Sequence, residues 1–288
     1  ATADIVLTLP RNQIDREVAL AMDCSPNVLI PAAASIFLGL LFLLIYRFVP
    51  APLSSLHRDW LAYLSERGYT SDEAFAVISR CGKEQLALSR SQRACFEQLH
   101  DSQLHNFQSI LQIVSRSEVA ALGEAQIDWF VLGMSMDAQD MDAALALAVA
   151  PDSVNIDLNA MTLRVRGLAV PISGTPLFYY AWYAVQRRDG DGWVTNPASN
   201  RPDLKVGREI ARLMSSHDGH GRAINDLEQA GLKSRTLDQN RSKLKEDIVA
   251  VLGEKLAQRY LFEASKHPDS SQMRYRIGLD SSAIRVAD

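Results

Sequence analysis

The sequence is poor in the groups that most chemistry depends on. Its three cysteines, Cys24, Cys81 and Cys95, are an odd number without framework spacing. That argues against a disulfide scaffold and agrees with a reduced compartment for the main body. No Ser-His-Asp order or Cys-His pairing stands out, so nothing marks a nucleophilic centre. His217-Asp218-Gly219-His220 has two histidines three apart, but in a glycine-containing loop with no cysteine nearby, which reads as solvated loop and not as a metal site. Gly190 and Gly192 mark a turn; no Lys-Ser/Thr follows, which argues against a phosphate loop. The chain is therefore expected not to be an enzyme and to hold no cofactor or metal. Internal repeats and low-complexity tails are also lacking.

Charge is missing from one stretch altogether. Between Asp23 and Arg47 there is no charged residue, and the run CSPNVLIPAAASIFLGLLFLLIY covers Cys24 to Tyr46. Roughly 20 apolar residues in a helix span a bilayer's hydrocarbon core. A core helix of this length would normally show a polar stripe, and none is present. Val28 to Val49 is the expected transmembrane helix, with Pro31 in its first turn and Arg47 placed to snorkel. The preceding residues mix signs (Asp4, Arg11, Asp15, Arg16, Glu17, Asp23), unlike the basic start of a secretory signal. Arg47, Arg58 and Arg67 follow the run against Arg11 and Arg16 before it. The positive-inside tendency then predicts a single-pass protein of the cytoplasmic (inner) membrane, its C-terminal domain in the cytoplasm.

The formal net charge of −4 conceals an asymmetry: residues 1–152 carry 10 Lys+Arg against 18 Asp+Glu, and residues 153–288 carry 20 against 16. A mildly basic C-terminal half is compatible with nucleic acid without requiring it.

Four regions follow: a short segment 1–27, the apolar helix 28–49, a helical middle domain 50–150, and a C-terminal domain 151–288. Residues 1–23 read as a short strand or loop, then an amphipathic turn around Ile14, Val18 and Met22. Pro50 and Pro52 break the apolar helix. Ser55 to Arg67 is predicted helical, with Leu56, Trp60, Tyr63 and Leu64 on one face. Thr70 and Glu73 have capping-box spacing for a helix to Arg80. Lys83 to about Arg116 carries apolar residues at helical spacing over its length. It would serve as the side of a bundle more readily than as a coiled-coil seam, because its heptads are not sustained. These middle helices are also the expected surface for homo-oligomerisation or a protein partner. Gln126 to Met136 suits a strand or a further helix, and Met141 to Val149 a helix. Pro151 marks the boundary beyond.

Val154 to Ser173 alternates apolar and polar residues around turns at Asn159 and Gly167, predicting two or three antiparallel strands. Thr175-Pro176 starts a helix that continues as LFYYAWYAVQRR. Its aromatic group, Phe178, Tyr179, Tyr180, Trp182 and Tyr183, is expected mostly in the core with one or two rings at the surface. An extra helix is expected near Leu204 to Met214. Two helices with a tight connection come next: Arg222 to Ala230, a turn at Gly231 to Ser234 with Ser234 as N-cap, and Arg235 to about Leu252. QMRYRIGL closes the domain as a strand.

Sheet, helix, helix-turn-helix and terminal hairpin, in that order, resemble the winged-helix domain of OmpR-type response regulators. The matching segments are TLRVRGLAVPIS, LDQNRSKLK and RYRI. The C-terminal half is similar above all to winged helices appended to CRISPR-associated CARF-type sensor proteins, through Asn240-Arg241 and through Tyr275-Arg276-Ile277-Gly278-Leu279 followed by a short tail, Asp280 to Ile284. No CARF domain is visible in residues 1–150. The long link Asp189 to Gly221 and the expanded segment Leu252 to Ser271 depart from a minimal winged helix.

The expected fold class is thus mainly α with a C-terminal α+β winged helix, preceded by one transmembrane helix. The resemblance implies double-stranded DNA as partner and a role in transcription regulation or antiviral defence. The other reading is a protein- or ligand-interaction module of a defence-linked membrane effector or scaffold. On a helical wheel Leu237, Leu244, Ile248 and Val251 face inward. Arg235, Gln239, Ser242 and Glu246 face outward, flanked by Lys243 and Lys245. Asn240 and Arg241 border the buried stripe, and Asn240 is placed to tie the helix to the hairpin. The candidate nucleic-acid residues are Arg235, Gln239, Arg241, Ser242, Lys243, Lys245, and Arg274 and Arg276 on the closing strand. Asp238, Glu246 and Asp247 dilute the positive field and argue against strong non-specific binding.

Overall fold

Alternation, not a helical turn, shapes the N-terminal end. Val18, Leu20 and Met22 recur at every second position, and Glu17–Asp23 forms strand β2, antiparallel to β1, Thr2–Thr8. This corrects the amphipathic turn expected at Val18 and Met22; Ile14 lies outside the described residues. The computed structural model describes residues 2–8, 17–23, 28–48 and 53–287, in two compact units, Ala1–Gly68 and Tyr69–Asp288.

In the first unit the hairpin is followed by helix α1, Leu29–Phe48. The helix is long and apolar enough to span a membrane, with a mean hydropathy of 2.4 over its most apolar window. Every described side chain from Val28 to Arg47 is exposed. Cys24 to Asn27 and Val49 to Pro52 lie outside the described residues, and with them the expected breaks at Pro50 and Pro52. Helix α2, Ser55–Glu66, begins at Ser54, whose hydroxyl accepts from the His57 amide. Trp60, Tyr63 and Leu64 are buried, as the predicted face requires, while Leu56 is half-buried.

The second unit is mainly helical, with a small mixed sheet towards the C-terminus. Helix α3, Ser71–Ile78, opens on the Thr70–Glu73 capping box. The long helix expected over Lys83 to Arg116 is instead three, α4 Lys83–Leu86, α5 Arg90–Asp101 and α6 Phe107–Val114, and α7, Ser117–Ala120, begins just beyond. Ser89 and Asn106 accept the amides of Gln92 and Ser109, so each starts a new helix. Between them Gln103 turns the chain with φ 58°. The ambiguous segment near Gln126 is helix α8, Glu124–Met136, and α9 spans Met141–Val149. These two approach so closely that a Cβ on Gly133 would meet Ala144 Cα at 2.7 Å.

Strands β3 Val154–Asp157, β4 Thr162–Val165 and β5 Leu168–Val170 form the predicted antiparallel set. The tail adds to it: β9, Ile284–Ala287, lies parallel to β3, completing the order β5-β4-β3-β9. Arg166, from the turn between β4 and β5, fastens this sheet to the helices before it. Its guanidinium donates to the carbonyls of Ala148 and Ala150 at the end of α9. It also lies 4.7 Å over the Trp129 ring of α8.

Helix α10, Gly174–Asp189, is capped by Ser173, not Thr175, so Pro176 sits within the first turn where its missing donor is harmless. Phe178, Tyr179, Tyr180, Trp182 and Tyr183 are all buried; none of this aromatic group reaches the surface as expected. Tyr180 donates to the Tyr260 carbonyl (2.7 Å), and Tyr260 donates to Asp152 (2.8 Å). After the short strand β6, Val194–Thr195, come α11 Leu204–Ser215 and α12 Gly221–Ala230. The last helix, α13, covers Ser234–Ala257 and is interrupted at Gly253, where φ is 73°. Its regular turns end at Leu252, as expected, and a short helical segment follows the break to Ala257. Strands β7 Phe262–Lys266 and β8 Met273–Ile277 form the terminal hairpin, and β6 pairs with β8 on its other edge.

Candidate nucleic-acid interface

The site is built on α12, the turn after it, α13 and the β7–β8 hairpin. Gly231 ends α12 with φ 73°, a backbone that an L side chain rarely adopts. The N-cap of α13 is Lys233, one residue before the expected Ser234. The Ser234 hydroxyl is engaged instead by the Asn196 side-chain amide at 3.1 Å. Leu237, Leu244 and Ile248 are buried along α13. Leu252, the last residue before the break at Gly253, is buried in the place expected of Val251, which is half-buried.

The outward face is as the wheel predicts. Arg235, Gln239, Ser242, Lys243, Lys245 and Glu246 are exposed. Its charge is largely cancelled, however. Lys243 lies 3.0 Å from Asp247 and 3.6 Å from Glu246, and Lys245 lies 3.9 Å from Glu254. The hydrogen bond that the Lys243 ammonium donates to the Asp247 carboxylate holds it above its ordinary pKa. Among the described residues Arg235 has no ion pair, so it is the cation that α13 leaves open.

Arg241 belongs to the interior. Only 8% of its side chain is exposed. It donates to the Tyr183 hydroxyl (2.7 Å), to Asn196 Oδ1 (3.1 Å) and to Asp238, and lies 3.7 Å over the Tyr275 ring. One guanidinium thus joins α10, the segment after β6, α13 and the hairpin. Burial pushes the Tyr183 hydroxyl up to about 12, with Arg241 opposing the rise. Arg241 is thus withdrawn from the exposed face of α13 and reaches only the groove between that helix and the hairpin. Asn240 does not tie the helix to the hairpin; its side-chain amide donates to the Thr236 carbonyl one turn earlier.

Arg274 and Arg276 are half-buried. Each guanidinium lies 4.6 Å from the Trp193 ring centroid, and Arg276 donates to Glu263 at 2.9 Å. The Arg274 Nε has no hydrogen-bond partner among the described residues. A groove of about 320 Å³ separates α13 from the hairpin, lined by Ser242, Lys245, Phe262 and Tyr275 among others.

Sequence reasoning missed Trp193, Asn196 and Tyr183, the side chains that set the two arginine groups in place. No local pattern marks them, since their partners lie 45 and 58 residues away for Asn196 and Tyr183. His217, from the histidine pair, contacts Asn159 Oδ1 through Nδ1 at 3.1 Å, fixing the turn between β3 and β4. The chain matches no protein-family model, no curated protein and no solved structure.

Proposed function

We propose that this chain is a membrane-anchored regulator whose C-terminal domain is a cytoplasmic winged helix that binds double-stranded DNA. The observation that carries the reading is the pairing of an exposed polar face on α13 with a hairpin fastened to the same helix by Arg241. Arg235, Gln239 and Ser242 suit the major groove, where arginine reads guanine and glutamine reads adenine. Arg274 and Arg276 suit the adjacent backbone. The order of β3–β5, α10, β6, α12, α13 and the β7–β8 hairpin supports the winged-helix part. Helix α1 supports the anchor, and the arginines after it support a cytoplasmic domain.

The test uses the full chain in zwitterionic nanodiscs with labelled duplex DNA. Binding should weaken as salt rises, and Arg235→Glu should lower affinity at least tenfold with no change in thermal stability. Affinity without salt dependence, or an unaffected Arg235→Glu variant, sinks the DNA reading.

A second reading has its own observation. The ion pairs on Lys243 and Lys245, with Asp238 and Glu246 exposed beside them, make a mixed-charge surface that suits a protein partner. In that case the domain is an interaction module of a defence-linked membrane effector or scaffold. Homo-oligomerisation through the helices of the middle domain, 50–150, fits either reading, and mass measurement in nanodiscs reads it directly.

A further inference from the structure

The cations from Arg201 to Arg259 fall into two populations. Those of α13 and just beyond it, from Arg241 to Arg259, all have carboxylate partners. Those from Arg201 to Arg235 have none among the described residues: Arg201, Lys205, Arg208, Arg212, Arg222, Lys233 and Arg235, all exposed. Three of them, Lys205, Arg208 and Arg212, lie on one face of α11 at spacings of three and four. The same face carries Glu209, half-buried and without an ion pair among the described residues. The opposite side of α11 is consumed by the interior through Ile210, Ala211 and Met214.

The start of α11 is joined to the start of α13. Asp203 and Leu232 exchange backbone hydrogen bonds at 2.9 and 2.8 Å. A Cβ on Gly231 would meet the Asp203 carbonyl and the Leu204 nitrogen at 3.1 Å. Arg201 and Lys205 therefore flank the bridge from one side, and Lys233 and Arg235 from the other. From Lys205 to Arg212 the helix rises about 10 Å. Over that axial length one strand of duplex DNA presents about three phosphates.

We infer that α11 is a phosphate track: Lys205, Arg208 and Arg212 hold the nucleic-acid backbone and lead it to Arg235 at the start of α13. The inference rests on the DNA reading above and moves most of its electrostatic affinity off α13, whose lysines are already neutralised. Nucleic acid is favoured over an anionic lipid surface because the cations run on into the exposed polar face of α13, while α11 leaves only Leu204 exposed among its large apolar side chains.

The deciding experiment measures duplex affinity against salt for the full chain in zwitterionic nanodiscs. Lys205→Gln/Arg208→Gln/Arg212→Gln is compared with a control triple in the helical middle, Arg80→Gln/Lys83→Gln/Arg90→Gln. The α11 triple should flatten the slope of log K against log salt by about 2 to 3, and Arg208→Gln alone by about 1. The control should leave the slope unchanged. Equal effects from both triples would mean that net charge alone matters, and would overturn the track. So would an unchanged α11 triple alongside a wild type that binds, which defeats the track alone. A wild type that binds no duplex at low salt defeats the DNA reading and the track together. Loss of capture by anionic vesicles with duplex affinity intact would assign these cations to lipid and overturn the inference.

Discussion

Replacing Arg241 with alanine should loosen the whole arrangement of α13 and hairpin. The substitution takes three hydrogen bonds from a guanidinium whose side chain is 8% exposed, and strands the Tyr183 hydroxyl, itself fully buried. A buried group left unpaired costs about 1–3 kcal/mol. The stacking on Tyr275 is worth about 1–2 kcal/mol when desolvated. Asp238, by contrast, keeps 53% of its side chain in water and is re-solvated at little cost. The sum belongs at the lower end of the cost of breaking a buried ion pair, about 3 kcal/mol. Such a loss corresponds to a roughly 150-fold shift in the opening equilibrium. Native-state hydrogen exchange on the full chain reads it directly: protected amides of α13 and β8 should exchange faster by about that factor. Lysine at 241 keeps the charge but not the fork, and should lose about half as much. Alanine within 0.5 kcal/mol of wild type, or lysine as damaging as alanine, would refute the reasoning.

Two further outcomes are expected. Gly133→Ala should destabilise the pair of α8 and α9 by about 1–3 kcal/mol, because the added carbon meets Ala144 backbone and not a yielding side chain; a denaturation midpoint equal to wild type would count against the close packing. Burial pushes the Cys95 thiol up to about 12. The folded chain therefore holds this proton more tightly than the unfolded chain, whose thiol titrates near about 8.5. Its contribution is complete below that pH and is lost as pH rises towards 12, at about 1.4 kcal/mol per unit. In a Cys81→Ser background, Cys95→Ala should flatten the decline between roughly pH 8.5 and 10; an identical decline would show that the thiol is not the cause.

Local signals were readable in advance and distant ones were not. The Thr70–Glu73 cap, the α9 boundaries and the turns around β4 rest on residues within four positions of one another. The break between α5 and α6 was hidden, because Ser102 to His105 contains neither glycine nor proline and the apolar spacing continues across it. The partner of β3 was hidden too, since Ile284 pairs with Val154 from the far end of the chain. At the interface, the wheel identified the exposed side of α13. It placed Arg241 on the border, and only the fold, which brings Tyr183, Asn196 and Tyr275 around it, draws the side chain inward. The carboxylates beside Lys243 were legible at three and four positions along the helix, whereas the continuity of α11 with α13 required the bridge at Asp203.

Strand β9 gives the domain a particular history. Its Ile284 is buried against the first strand of the sheet, so the strand that opens the domain waits for the residues that close it. A ribosome emits β3 well before β9, with α10 to α13 and the β7–β8 hairpin made in between. The sheet is thus completed only after those elements have emerged, and a deletion of Ile284 to Ala287 would act as the loss of a strand rather than of a tail.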